Sequence, residues 1–253
     1  MPSTFRPWRV AVTRDEDRDG QLASALIAEG LTPCPCPVLV EAPPDNPAAL
    51  VAAARDLEHY HWVVVASARA VTAISRARGG PWPAHLRTAA VGEATSRALV
   101  AAGVSEPPVA GEGDGAEALW ATLTELMPWT GVHVLVPSTP GGRTDLTERL
   151  RAAGAHVNAV DAYRMVPRPA AAIVEDWTRA APDAVVVTSP RVAETLYDAI
   201  SGDRVRAVTV VAIGATTAAA LERLGVPATR PARAGFTDVA RLLATRQTME
   251  RSA

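Results

Sequence analysis

The 253-residue chain contains no lysine: all 25 of its Lys+Arg residues are arginine. That excludes a Schiff-base lysine, a pyridoxal phosphate anchor and the lysine of a phosphate-binding P-loop. Arginine instead favours planar, bidentate recognition of carboxylates. Cysteine is nearly as scarce, with Cys34 and Cys36 standing in PCPCP. There the prolines hold an extended backbone and alternate residues face opposite ways, so the two thiols are not placed to pair. The histidines, His59, His61, His85, His133 and His156, show no ligand spacing with each other or with these thiols, and no metal is expected. An excess of positive charge is also missing. The formal net charge of −2 gives no basis for a nucleic-acid partner. No apolar run approaches the ~20 residues of a membrane helix, so no membrane span is expected. The opening MPSTFRPWRV lacks the basic and apolar regions of a secretory signal, which makes the cytoplasm the expected compartment.

What is present is a repeated alternation of short β-branched runs and alanine-rich helical stretches ending in glycine. The runs are VAVT (10–13), VVVAS (63–67), TAAVG (88–92), HVLVPS (133–138), AVVVTS (184–189) and TVVAIG (209–214). Such a pattern implies parallel sheets covered on both faces. A shift of 122 residues sets Ser67 on Ser189, Gly92 on Gly214, Leu99 on Leu221 and Gly103 on Gly225 without a gap. A second comparison, with a shift of 124, sets Gly30 on Gly154. A repeat of this length means duplicated domains, since a solenoid unit is about 20–50 residues. The fold class expected is therefore α/β, with two similar doubly wound parallel-sheet domains. TPCPCPVLVEAPP (32–44) and HVNAVDAYRMVPRP (156–169) are extended, proline-bounded and partly polar, and read as crossing or linker strands.

The duplicated strand-to-helix corners carry the candidate residues. Ser67 and Ser189 stand where a strand gives way to a helix, and a hydroxyl N-cap accounts for each of them. A ligand role does not compete with that, because helix N-termini present unpaired N–H groups at the carboxyl ends of strands, where ligands of open α/β sheets bind. Arg69 and Arg191 follow the serines by two residues. Thr95, Thr216 and Thr217 open the helices after the second pair of corners. Arg143, in PSTPGGRTD, has Arg14 after the first strand as its rough counterpart. No corner fits G-x-G-x-x-G, so dinucleotide binding is not expected. Tyr163, one of three tyrosines, reads from the residues alone as a half-buried strand tyrosine at a domain edge.

Taken together, VVVASARAV with VVVTSPRVAETL, AAVGEAT with VAIGATTAAALERLGV, the opening VAVTR, the middle VLVPSTPGGRTDLTERLRAAGAHV with VDAYRMVP, and the closing GFTDVARLL resemble the uroporphyrinogen III synthase family. The resemblance covers nearly the whole chain. It implies a lyase of tetrapyrrole and heme biosynthesis that converts hydroxymethylbilane to uroporphyrinogen III with loss of water, acting as a monomer with no cofactor. It also implies two α/β domains, residues 1–36 plus 166–253 and residues 37–165, joined by linker strands at about 33–42 and 156–167. The substrate, carrying eight carboxylates, would lie in the cleft between them, held by Ser67, Thr95, Ser189, Thr216, Thr217, Arg14, Arg69, Arg143 and Arg191. Tyr163 matches the linker tyrosine assigned to loss of the hydroxyl. One departure is that Ser138 follows the VLVP strand where an arginine is expected. The alternative is a non-catalytic two-lobed binding or regulatory module for an acidic small molecule.

Overall fold

A computed structural model describes residues 6–16, 20–112, 115–141 and 145–252. The first stretch of chain forms β1 (Arg9–Val12), α1 (Gln21–Ala28), β2 (Thr32–Pro35), β3 (Leu39–Ala42) and α2 (Pro47–Arg55). It continues through β4 (Trp62–Val65), α3 (Ala68–Arg78), β5 (Arg87–Ala90), α4 (Glu93–Ala101), β6 (Val109–Ala110), α5 (Gly115–Leu126), β7 (His133–Ser138), α6 (Asp145–Ala152) and β8 (His156–Asp161). The last stretch holds β9 (Arg164–Pro167), α7 (Ala170–Ala180), β10 (Ala184–Val187), α8 (Pro190–Ile200), α9 (Gly202–Arg206), β11 (Thr209–Ala212), α10 (Ala215–Arg223) and α11 (Phe236–Ser252).

Two compact units result, Met1–Glu41 with Val166–Ala253, and Ala42–Met165. In the first, a parallel sheet runs β11-β10-β1-β2; in the second, β6-β5-β4-β7-β8. The two orders superpose as patterns. The isolated bridge Val211↔Thr229 occupies the place in the first sheet that β6 holds in the second. In both, the winding direction reverses at one internal pair, β1/β10 in the first unit and β4/β7 in the second. Those are the switch points outside whose carboxyl ends ligands bind in sheets of this kind.

Burial explains the unbroken apolar runs. Trp62 and Val64 of β4 join a core with Leu119, Leu123 and Trp129, while Val63 and Val65 join another with Leu50, Ile74 and Leu99. A strand covered on both faces needs apolar residues at every position rather than at alternate ones. Each large side chain fully buried this way contributes about 1.5–3 kcal/mol.

The expected linker stretches 33–42 and 156–167 each divide in two. β2 is the edge strand of the first sheet and β8 the edge strand of the second; only β3 and β9 form the separate two-stranded sheet. Edge position is the physical reason for their linker-like look. Prolines and polar residues are tolerated where one side of the strand has no ladder to make.

Candidate active site

The four switch-point strands end in Thr13, Ser67, Ser138 and Ser189, or one or two residues short of them. Thr13, which the sequence reading did not single out, is fully buried and its Oγ1 donates to the Val186 carbonyl at 2.6 Å, locking β1 to β10 at the switch point. Arg14 follows. Its guanidinium stacks over Phe236 at 4.7 Å from the ring centroid, and its Nε lies 3.0 Å from Glu16 Oε2. That oxygen is close enough for an ion pair but is not aligned for a hydrogen bond, while Oε1 accepts from the Ala23 N–H at 2.8 Å. The start of α1 thus already has a carboxylate, its own Glu16, and Arg14 is tied to it. Glu16 two residues after Arg14 was the available signal.

Ser189 behaves as a helix cap: its Oγ accepts from the Val192 N–H at 3.2 Å, with Pro190 in the first turn of α8. Arg191 is exposed beside it. At α10, Thr216 is exposed and Thr217 is buried at 2% exposure. Thr95, at the start of α4, is also buried. Of the three threonines at these corners, then, only Thr216 faces solvent. The duplicated glycines differ as well. Gly92 has φ of 84°, a conformation glycine adopts without strain, whereas Gly214 is extended.

Ser67 makes no cap bond with its side chain. Its carbonyl accepts from the Ala70 and Val71 N–H groups at 3.0 and 3.3 Å, and its Oγ lies 3.0 Å from the Tyr163 hydroxyl in a hydrogen bond across 96 residues of sequence. Tyr163 is 8% exposed, its ring packed in the core that includes Val65, Ala70, Val160 and Ala162. The β7–β8 ladder positions it, since the Ala162 N–H donates to the Ser138 carbonyl at 2.8 Å. Arg69 Nη1 donates to Met165 Sδ at 3.6 Å. Arg143 lies outside the described residues.

The cysteines are free and buried. Burial pushes the Cys36 thiol up to about 12, helped by the nearby Asp176 carboxylate, and burial also raises Cys34. Neither is a thiolate at neutral pH, which removes both as nucleophiles. The structure does bring together histidines that the sequence left scattered. His61, His133 and His156 stand side by side at the amino ends of their strands, with ring centroids 5.6 and 4.9 Å apart, and the His133 N–H donates to His61 Nδ1 at 2.9 Å. Among the described residues no group of three or more His, Cys, Asp or Glu side chains is placed to hold a metal ion. A groove of about 520 Å³ lined by His59, Tyr60, His133 and His156 opens at this end of the sheet, away from the corners that carry Ser67 and Tyr163.

Helix starts and hydroxyls at the switch points, with a phenol held against one of them, are the equipment of an α/β enzyme that acts on an anionic substrate. Comparison with known proteins narrows this class. The chain matches the Uroporphyrinogen-III synthase HemD family over residues 20–238 and belongs to that family, whose members are cyclising lyases of tetrapyrrole biosynthesis. Its fold is that of a mutant uroporphyrinogen III synthase from the extremely thermophilic bacterium Thermus thermophilus, at 21% identity and a TM-score of 0.56, covering 96% of this chain and 99% of that one. It is likewise that of the uroporphyrinogen-III synthetase of Helicobacter pylori 26695, at 13% identity and a TM-score of 0.63, covering 95% and 99%.

Proposed function

We propose that this chain cyclises hydroxymethylbilane to uroporphyrinogen III, with Tyr163 as the acid that releases the hydroxyl. Family membership over residues 20–238 carries the reaction, and the placement of the Tyr163 hydroxyl 3.0 Å from Ser67 Oγ supports the assignment of the acid. The alternative of a non-catalytic binding module is not favoured.

The chemistry asks little covalent work of the protein. The electron-rich terminal pyrrole pushes out the hydroxyl, the C–O bond breaks, and the departing oxygen takes the Tyr163 proton to leave as water. The substituted carbon of the last ring then attacks the electrophilic methylene, giving a spiro intermediate that reopens and closes with that ring inverted. The closing step releases a ring proton, which restores the phenol. The protein's main contribution is to hold the terminal ring in the attacking geometry. A packed ring at 8% exposure limits the movement of the Tyr163 hydroxyl.

The carboxylates are assigned to the helix starts at Ser67, Thr95, Ser189, Thr216 and Thr217, with Arg69 and Arg191 beside two of them and Arg143 on a third corner. Arg14 contributes through its pairing with Glu16 rather than as a free guanidinium. The protein is proposed to work as a monomer without nucleic acid, and in the cytoplasm, a reading supported by two free thiols. No described helix is long and apolar enough to cross a membrane.

The test is a coupled assay in which hydroxymethylbilane is generated in situ, the purified chain is added without metal or cofactor, and the oxidised porphyrin isomers are separated by chromatography. The type III isomer is expected to predominate over the spontaneous type I product. Tyr163→Phe is expected to lower turnover about 100-fold with the fold intact, the lower end of what a general acid supplies. Type I product alone from folded protein sinks the reaction; unchanged turnover in Tyr163→Phe removes the acid.

A further inference from the structure

Ser67 and Ser189 occupy equivalent corners of the two units, yet their hydroxyls do different things. Ser189 Oγ accepts from the Val192 N–H at 3.2 Å and so serves its own helix. Ser67 leaves the start of α3 without a side-chain cap and bonds the Tyr163 hydroxyl at 3.0 Å instead. A helix that forgoes its cap bond gives up stability, so the duplicated position has been turned from a helix role to another use. The sequence supplies the reason for the split. The first crossing stretch, 32–42, carries no tyrosine, so Ser189 has no phenol to meet.

We infer that Ser67 is a positioning residue: its hydroxyl donates to Tyr163 Oη, which fixes the phenol and turns the phenolic O–H outward to the leaving hydroxyl. The inference rests on the reading of Tyr163 as the acid. A phenol oxygen accepts one hydrogen bond while donating another. Ser67 Oγ takes no cap bond from α3, since the Ala70 and Val71 N–H groups bond the Ser67 carbonyl at 3.0 and 3.3 Å, so the rotamer of the hydroxyl is set by Tyr163 and its O–H can point to the phenol oxygen. A second tie runs in parallel. Two residues on from each partner, Arg69 Nη1 donates to Met165 Sδ at 3.6 Å, so the first turn of α3 is fastened to residues 163–165 at two points with the same spacing. Arg69 therefore acts on the segment that holds the phenol as well as on any anion at the helix start.

The experiment compares steady-state kinetics of Ser67→Ala, Ser67→Thr, Tyr163→Phe and the Ser67→Ala/Tyr163→Phe double variant in the coupled assay, with thermal melts of each. Ser67→Ala is expected to lower kcat about 5- to 10-fold, the effect of one hydrogen bond, with KM within about twofold of wild type, because the start of α3 would hold a carboxylate through its backbone N–H groups while the hydroxyl serves Tyr163. Ser67→Thr, which keeps the hydroxyl, restores the rate. In the Tyr163→Phe background the Ser67→Ala change has no further effect on kcat. Ser67→Ala and Tyr163→Phe are expected to melt slightly below wild type by similar amounts, since each loses the same hydrogen bond and neither loses a cap bond, and the double variant to melt no lower than Tyr163→Phe. A wild-type kcat in Ser67→Ala, a raised KM with kcat unchanged, or full additivity in the double variant overturns the inference while Tyr163→Phe remains slow. Wild-type turnover in Tyr163→Phe instead removes the acid itself, and with it the residue that Ser67 would position.

Discussion

A single exposed carboxylate sets part of the response of the second unit to acid. Arg78, on the last turn of α3, donates to Glu58 Oε1 at 2.6 Å and to Oε2 at 3.3 Å, and also to the Ala54 carbonyl at 3.2 Å. Its guanidinium is largely buried, so the fork is held in place by α2, α3 and the turn after them. The Arg78 hydrogen bonds hold the Glu58 carboxyl down at about 2. A carboxyl whose folded value is depressed adds stability above its unfolded value and loses it as pH falls. Here the window runs from the ordinary 4.5 down to about 2. Glu58→Gln is therefore expected to melt below wild type at pH 7, with the gap closing across that window and shrinking in high salt, because the Glu58 carboxylate is exposed to solvent. A gap independent of pH between 7 and 2, measured by thermal melts, contradicts the role given to the ion pair.

At the scale of the element, the two serine corners form an internal comparison. Helix α8 has Pro190 at its first position and a working side-chain cap in Ser189. Helix α3 opens on Ser67 without one and closes on Gly79 in the left-handed conformation. Ser189→Ala is expected to destabilise the chain by about 1 kcal/mol in denaturant titrations, the usual loss for an N-cap hydroxyl. Ser67→Ala loses no cap bond but does lose its bond to the Tyr163 hydroxyl, and is expected to cost about 0.5–1.5 kcal/mol in the wild type and nothing further in the Tyr163→Phe background. A loss at Ser67→Ala that persists undiminished in the Tyr163→Phe background argues that Ser67 caps its helix in solution after all. Sheet edges show the same principle at work on strands: β2 and β8 keep their prolines and polar residues because each has only one ladder to maintain.

For the whole molecule, the two units differ in how the chain supplies them. Unit Ala42–Met165 is continuous and holds a five-stranded sheet with a core on each face. The other unit is assembled from both ends of the chain, and β1, from the N-terminal piece, pairs with β10 on one side and β2 on the other. A fragment of residues 42–165 is expected to unfold cooperatively by itself. Residues 166–253 alone lose their internal strand β1 together with Val10, Val12, Leu22 and Leu26 of the core, and are expected not to fold. Circular dichroism melts of the two fragments check this. Addition of residues 1–41 in trans is the corresponding rescue.

The sequence by itself determined the parallel α/β class, the duplication and the family, because apolar runs buried on both faces and glycine-ended helices are local consequences of composition and period. It also singled out Tyr163, Ser67 and Ser189 as candidate site residues. Only the tertiary structure decided which serine serves its helix and which reaches a phenol 96 residues away, that Arg14 is bound to Glu16 and Phe236, and that β2 and β8 are sheet edges rather than linker strands. The division has one physical cause. A helix start or a strand is specified by neighbouring residues, whereas the partner of a hydroxyl or a guanidinium is whatever the folded chain brings within about 3 Å of it.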